Sequence, residues 1–144
     1  ATTEIYTLSL HDALPISYWL HYAEGSAMTP LLLKLLFTLM PKRAPALLRP
    51  LVRKVSNTAL STLVNPQLKQ HMAYWEGELG KSEWFAGNDF SGADIQMSFP
   101  LEAAAARGGL EDGHPRCVAF LERIHARPAY ARALEKGGPY EVGR

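Results

Sequence analysis

Between Leu47 and Leu79 apolar side chains return every three or four residues, and that period limits the chain more than any other feature. Leu47, Leu51, Val55, Ala59 and Leu63 make one row at four-residue steps. Leu48, Val52, Leu60, Val64, Leu68, Met72, Trp75 and Leu79 lie close beside it. A strand needs a period of two, whereas a stripe this wide belongs to a helix packed into a bundle. Asn65-Pro66 interrupts the stripe. Proline there removes a backbone donor and meets the carbonyl four residues back, so a kink or a restart at Asn65 is expected.

The flanking segments carry the same period. Trp19, Tyr22, Ala23 and Ser26 recur at helical steps, as do Leu32, Leu35, Leu36 and Leu39. Thr29-Pro30 fits either an N-cap with proline at the first helical position or a kink within one longer helix. Pro41, Pro45 and Pro50 mark a connection, and Gly80 and Ser82 close the long helix. Trp84 to Phe90 reads as a turn-rich linker with three aromatic anchors. Further helices are expected from about Ser91 to Arg107, stopped by Gly108-Gly109, from near Pro115 through Val118, Leu121, Ile124 and His125, and from Arg127-Pro128 to Gly137-Gly138. No strand or internal repeat is read beyond Tyr18. The expectation is one all-α domain, a bundle of about five helices.

Ala1 to Ser17 stand apart. They show neither a helical stripe nor clean alternation, and they resemble translated sequencing-adapter sequence. Residues 1–17 are therefore set aside as a non-native or disordered leader, and residues 18–144 are taken as the domain.

Charge and cysteine content narrow the classes. Fifteen Lys and Arg against fourteen Asp and Glu leave a net charge of +1, which argues against a generally basic nucleic-acid binder. With 47% hydrophobic residues the chain is no solvated disordered tail. Cys117 is the single cysteine, which excludes an internal disulfide and suits a reducing compartment. It stands near a helix start, where a thiol pKa can fall, and reads first as a small packed side chain. The most apolar run, Leu31 to Met40, is broken by Lys34 and is far shorter than the roughly 20 residues a membrane helix needs. A soluble, cytoplasmic protein with no nucleic-acid or membrane partner is expected. His21, His71, His114 and His125 have no metal-ligand spacing, so no metal is expected. Pro41 to Lys54 holds Lys42, Arg43, Arg49, Arg53 and Lys54 with no acid. That run reads as a solvated face, with a polyanion-binding surface as the competing reading.

The sharpest local signal is Phe90-Ser91-Gly92-Ala93-Asp94-Ile95. Ser91 sits where an N-cap belongs. Its hydroxyl is placed to accept from the Asp94 N–H, and the Asp94 carboxylate to accept from the Ser91 N–H. Phe90 and Ile95 hold the two positions of a hydrophobic staple.

Taken in order, Trp84-Phe-Ala-Gly-Asn-Asp-Phe-Ser-Gly-Ala-Asp94, a mostly apolar helix, and Arg127-Pro-Ala-Tyr130 resemble the C-terminal helical domain of glutathione S-transferases. Tyr18-Trp-Leu-His-Tyr-Ala-Glu-Gly-Ser26 looks like the start of that domain's first helix in the bacterial and fungal Gtt-like branch. The resemblance covers Tyr18 to Gly138. It implies that Ser91 and Asp94 form a structural capping box opening the central helix. It implies an N-terminal thioredoxin-like domain, holding the co-substrate glutathione and the thiol-activating residue, that has no counterpart here, so no catalytic residue is expected in this chain. His21, Tyr22, Glu24, Ser26 and Met28 become the candidates for the electrophile-site wall, with Glu24 the candidate contact for the γ-glutamyl amino group. The implied parent enzyme is a homodimer that conjugates glutathione to small electrophiles in detoxification, the fragment alone being inactive. The competing reading is a non-catalytic helical assembly module of the same fold.

Overall fold

Five helices account for the regular structure of the computed structural model, which describes residues 10–110 and 113–138. The first, α1, is continuous through Leu10–Tyr22, a π-turn at Ala23–Ala27, and Met28–Arg43. The second, α2, runs through Arg49–Ala59, a π-turn at Leu60–Val64, and Asn65–Glu78. Then follow α3 (Gly92–Gly108), α4 (Pro115–His125) and α5 (Pro128–Gly137). The expected all-α bundle is what forms.

Prolines explain the two π-turns. Pro30 and Pro66 lack a backbone donor, and each ring would meet the carbonyl four residues back, at Ser26 and Thr62. Both of those carbonyls lie inside a π-turn, where the wider coil makes room. Thr29-Pro30 is thus a feature inside one long helix, and Asn65-Pro66 resumes the α geometry after a π-turn.

The segment set aside over residues 1–17 is described only from residue 10 onward. Residues 1–9 lie outside the described residues, but α1 begins at Leu10, eight residues before Tyr18, and Ile16 packs against the core. Pro15 lies inside this helix and costs it one hydrogen bond, which packing by Ile16 and Trp19 offsets.

The core follows four-residue rows. On α1 the buried row is Trp19, Ala23, Ala27 and Leu31, and on α2 it is Val64, Leu68, Met72, Trp75 and Leu79. Ala93, Met97, Leu101 and Ala104 are buried on α3, which packs against both α1 and α4. Ala23 and Ala27 present little bulk where α3 meets α1, so the two backbones approach closely.

The other half of the long stripe is not buried. Leu47, Leu51, Val55 and Leu63 are 48–90% exposed, contrary to the expectation that their row packs into the bundle. The stripe is wider than the single helix available to cover it: α1 half-buries Val52, Ala59 and Leu60, and the far edge faces out. From residue 32 to residue 63 no apolar side chain is fully buried, and Ser56 is the only buried residue. This stretch is a two-helix arm that meets the core only through partly buried side chains such as Leu33, Phe37 and Leu60.

Carboxylates fasten the remaining joints. The capping box forms: Ser91 N–H donates to Asp94 Oδ2 at 2.9 Å, and Ser91 Oγ accepts from Ala93 N–H at 3.3 Å. Asp94 Oδ1 also accepts from Phe85 N–H at 2.9 Å, tying the aromatic linker to α3. The staple stays open, because Ile95 is 61% exposed and Phe90 is instead held by the Trp84 ring and by Arg127, whose guanidinium lies 3.4 Å from the Phe90 ring centre. At α4 no side chain of His114 caps the helix. Glu76 of α2 does so from a distance, accepting from Arg116 N–H and Cys117 N–H at 3.0 Å each. Cys117 itself is fully buried, and burial together with the Glu76 carboxylate pushes its thiol pKa up, the opposite of the lowering a helix start can produce. Glu102 of α3 accepts from the Tyr130 hydroxyl at 3.1 Å and pairs with His125 Nε2 at 2.9 Å, joining α4 and α5 to the centre.

Candidate functional site

The first half of α1 carries a second face, turned away from the Trp19 row. Leu14, Ser17, Tyr18, His21, Tyr22 and Ser26 line an open cleft of about 550 Å³. They share it because steps of three and four residues return to one side of a helix. His21 Nδ1–H donates to the Ser17 carbonyl at 2.7 Å, which fixes the ring against the helix and leaves Nε2 as its other polar atom.

Behind the cleft, α2 supplies an aromatic backing. Trp75 Nε1–H donates to Tyr22 Oη at 3.2 Å, and the Tyr22 hydroxyl makes a short hydrogen bond to His71 Nδ1. Trp75 can only donate to that oxygen, while the His71 tautomer sets which of Tyr22 and His71 donates to the other. Burial keeps both partners neutral: it raises the Tyr22 pKa to about 12 and lowers that of His71 below its ordinary value. Tyr18 Oη meets Tyr74 Oη at 3.1 Å, and the Trp19 ring stacks on Tyr74 with centroids 5.5 Å apart. The cleft therefore has an apolar aromatic wall whose hydroxyls are already engaged with α2. Such a wall receives flat apolar groups and offers few new polar bonds.

Of the five candidates for this wall, His21, Tyr22 and Ser26 are brought together in the cleft. Glu24 and Met28 are not. Glu24 Oε1 accepts from Gln96 Nε2 of α3 at 2.6 Å, and Met28 is partly buried against the core. His71 and Trp75 escaped sequence reading because forty-nine and fifty-three residues separate them from Tyr22. Leu14 and Ser17 were lost with the leader. Among the described residues no group of three or more His, Cys, Asp or Glu is placed to hold a metal ion, and no helix is long and apolar enough to cross a membrane.

The model of the glutathione S-transferase C-terminal domain matches residues 39–128 of the chain. The chain belongs to that family. Glutathione S-transferase 1 of Saccharomyces cerevisiae is 31% identical over 124 residues, covering 84% of this chain and 53% of the relative. Glutathione S-transferase 3 of Schizosaccharomyces pombe is 28% identical over 118 residues, covering 82% and 49%. Thus the chain spans about half the length of the curated relatives it matches. Among solved structures, a glutathione S-transferase from Actinobacillus pleuropneumoniae superposes with a TM-score of 0.63 at 26% identity, covering 87% of this chain and 50% of that one. A glutathione transferase from Populus trichocarpa gives 0.56 at 17% identity over 93% and 60%, which speaks for the fold alone. Within this glutathione S-transferase C-terminal domain, the α1 cleft and its α2 backing are the candidate site.

Proposed function

We propose that this domain forms the electrophile-binding wall of a glutathione S-transferase, and that a thioredoxin-like domain supplies glutathione and activates its thiol. The cleft shared by Tyr18, His21, Tyr22 and Ser26 carries the reading. A glutathione thiol near its ordinary pKa of about 8.5 is mostly protonated at neutral pH, so conjugation requires donors or positive charge close to the sulfur. The wall offers neither: the Tyr22 hydroxyl is already engaged with His71 and Trp75, and burial keeps its proton from leaving. Its contribution is to seat the electrophile and exclude water. His21 and Ser26 supply polar edges. Glu24, exposed beside Gln96, is the carboxylate available to an amino group such as that of the γ-glutamyl end. In this reading the working enzyme is a dimer.

The test uses a nitroaromatic electrophile as probe. Trp19 and Trp75 both touch Tyr22, one by ring contact and one by hydrogen bond, so a flat nitroaromatic in the cleft quenches tryptophan fluorescence. Tyr18→Ala is expected to weaken this quenching about tenfold, in line with the loss of an aromatic contact of about 1–1.5 kcal/mol. The chain by itself is expected to conjugate no glutathione to chlorodinitrobenzene. Quenching indifferent to Tyr18→Ala would remove the wall from this cleft, and turnover by the chain alone would refute the division of labour.

A further inference from the structure

The Tyr22 oxygen is shared by two side chains of α2, and only one of them can change its role. Trp75 Nε1–H donates to Tyr22 Oη at 3.2 Å, and His71 Nδ1 meets the same oxygen in a short hydrogen bond. An indole only donates, a phenol donates once and accepts, and an imidazole nitrogen does either according to its protonation. With the proton of neutral His71 on Nε2, every group is matched: Trp75 donates to Tyr22, and Tyr22 donates to His71. A second proton on His71 breaks the match. Both ring nitrogens then carry hydrogen, so Nδ1–H donates and Tyr22 Oη accepts from His71 and Trp75 together. The Tyr22 hydroxyl proton has to leave the α2 side. Tyr22 is half-buried and lines the open cleft with Tyr18, His21 and Ser26, so the cleft is the space into which that proton turns.

The surroundings leave this exchange to the three side chains. From α1, Tyr18 stacks on Tyr22 with centroids 5.7 Å apart, and from α2, Tyr74 packs edge-on to Tyr22 at 5.6 Å. Glu78 is the acid that acts on this group, through Tyr74. Among the described residues no carboxylate and no cation is paired with His71. Burial lowers the His71 pKa below its ordinary 6.5, so the exchange falls on the acid side of neutral. We propose that His71 is a positioning residue that sets the donor capacity of the electrophile wall. Neutral, it holds the Tyr22 proton on α2. Protonated, it turns the Tyr22 O–H into the cleft to meet electrophiles that carry a hydrogen-bond acceptor, such as a nitro or carbonyl oxygen. What occupies the cleft rests on the electrophile reading, whereas the exchange of donors does not.

The test binds two aromatics to the full chain from about pH 8 down to about pH 5, a range that spans the titration of a histidine. Nitrobenzene is read by tryptophan quenching, and trichlorobenzene, which lacks such an acceptor, by displacing it. Nitrobenzene is expected to bind about fivefold more tightly at the acid end, the gain of one hydrogen bond, and trichlorobenzene equally at both. His71→Gln, which is never charged, and Tyr22→Phe, which has no O–H, are each expected to remove the step. His21 lines the same cleft and also gains an N–H on protonation, so His21→Gln is the control expected to keep it. Nitrogen NMR of the imidazole reads the switch without ligand: His71 Nδ1 is expected to be bare at the upper pH and to carry hydrogen at the lower. Circular dichroism and a denaturant midpoint at both ends confirm that each variant is folded. No step with nitrobenzene, an equal step with trichlorobenzene, or a step that survives His71→Gln or Tyr22→Phe would overturn the proposal. So would a step lost in His21→Gln, or an Nδ1 that already carries hydrogen at the upper pH. If neither aromatic binds, the electrophile reading fails and the nitrogen signals decide the switch: a change at Nδ1 supports it, and no change ends it.

Discussion

The two ends of α2 are written in nearly the same apolar pattern and do different things. From Val64 to Leu79 the stripe meets α1 and α4, and Val64, Leu68, Met72, Trp75 and Leu79 are buried. From Leu47 to Leu63 a stripe of equal regularity meets only α1, and its outer row is exposed. The period of a stripe reports that a helix forms and which side is apolar. How many neighbours arrive to cover that side is set by elements far away in the chain. The stripe at the base has two such neighbours, α1 and α4, while the stripe of the arm has one.

The largest test of this contrast lies at the base. Trp75 is fully buried and its indole N–H is engaged with Tyr22. Trp75→Ala removes the side chain, leaves a cavity, and frees the Tyr22 oxygen from its donor. The expected loss is about 3–5 kcal/mol, read from the urea midpoint at unchanged slope. A loss below about 1 kcal/mol would mean that the base collapses around the gap, and that it is no better packed than the arm.

Asp94 ranks next. Its two oxygens serve Phe85 N–H, Ser91 N–H and the Ser91 hydroxyl, so Asp94→Ala leaves two backbone donors and a hydroxyl without this partner. The expected cost is about 2 kcal/mol, against about 1 kcal/mol for Ser91→Ala, which loses the cap but keeps the linker. Asp94→Asn should recover part of the loss, because an amide oxygen still accepts from Phe85. Acid is not expected to mimic the alanine variant. Burial raises the Asp94 pKa above its ordinary 3.8, the hydrogen bonds opposing this only in part. The folded state therefore takes the proton before the unfolded state does. From the raised value down to 3.8, falling pH makes this group's contribution to stability more favourable. A variant Asp94→Asn that keeps the wild-type slope of stability against pH in that window would show that the carboxyl is not the titrating group.

Legibility in the sequence divides along the same line. The capping box was readable because Ser91 and Asp94 are three residues apart, but the bond from Phe85 was not, since a linker conformation brings it there. The cleft was half readable. His21, Tyr22 and Ser26 share a face of one helix, so spacing grouped them. Glu24 and Met28 were added from the resemblance, and they sit on other sides of the turn. His71 reaches Tyr22 across two helices, and no local pattern reports that. Leu14 and Ser17 belong to the segment set aside for want of a helical stripe, yet α1 runs through both of them.

Leu51 sets the lower end of the scale. It lies on the stripe with the same regularity as Leu68, so pattern alone would assign the two equal weight. Leu51 is 63% exposed and Leu68 is 1% exposed. Burying a leucine is worth about 1.5–3 kcal/mol, and a side chain already mostly in water has little of that to lose. Leu51→Ser is therefore expected to move the urea midpoint by no more than about 0.5 kcal/mol in stability, measured on dilute protein. A loss above about 1.5 kcal/mol would mean that something covers the arm in solution. Repeating the melt across protein concentrations would say what: a midpoint that rises with concentration belongs to a second copy of the chain, and one that does not belongs to closer packing of α1 on α2.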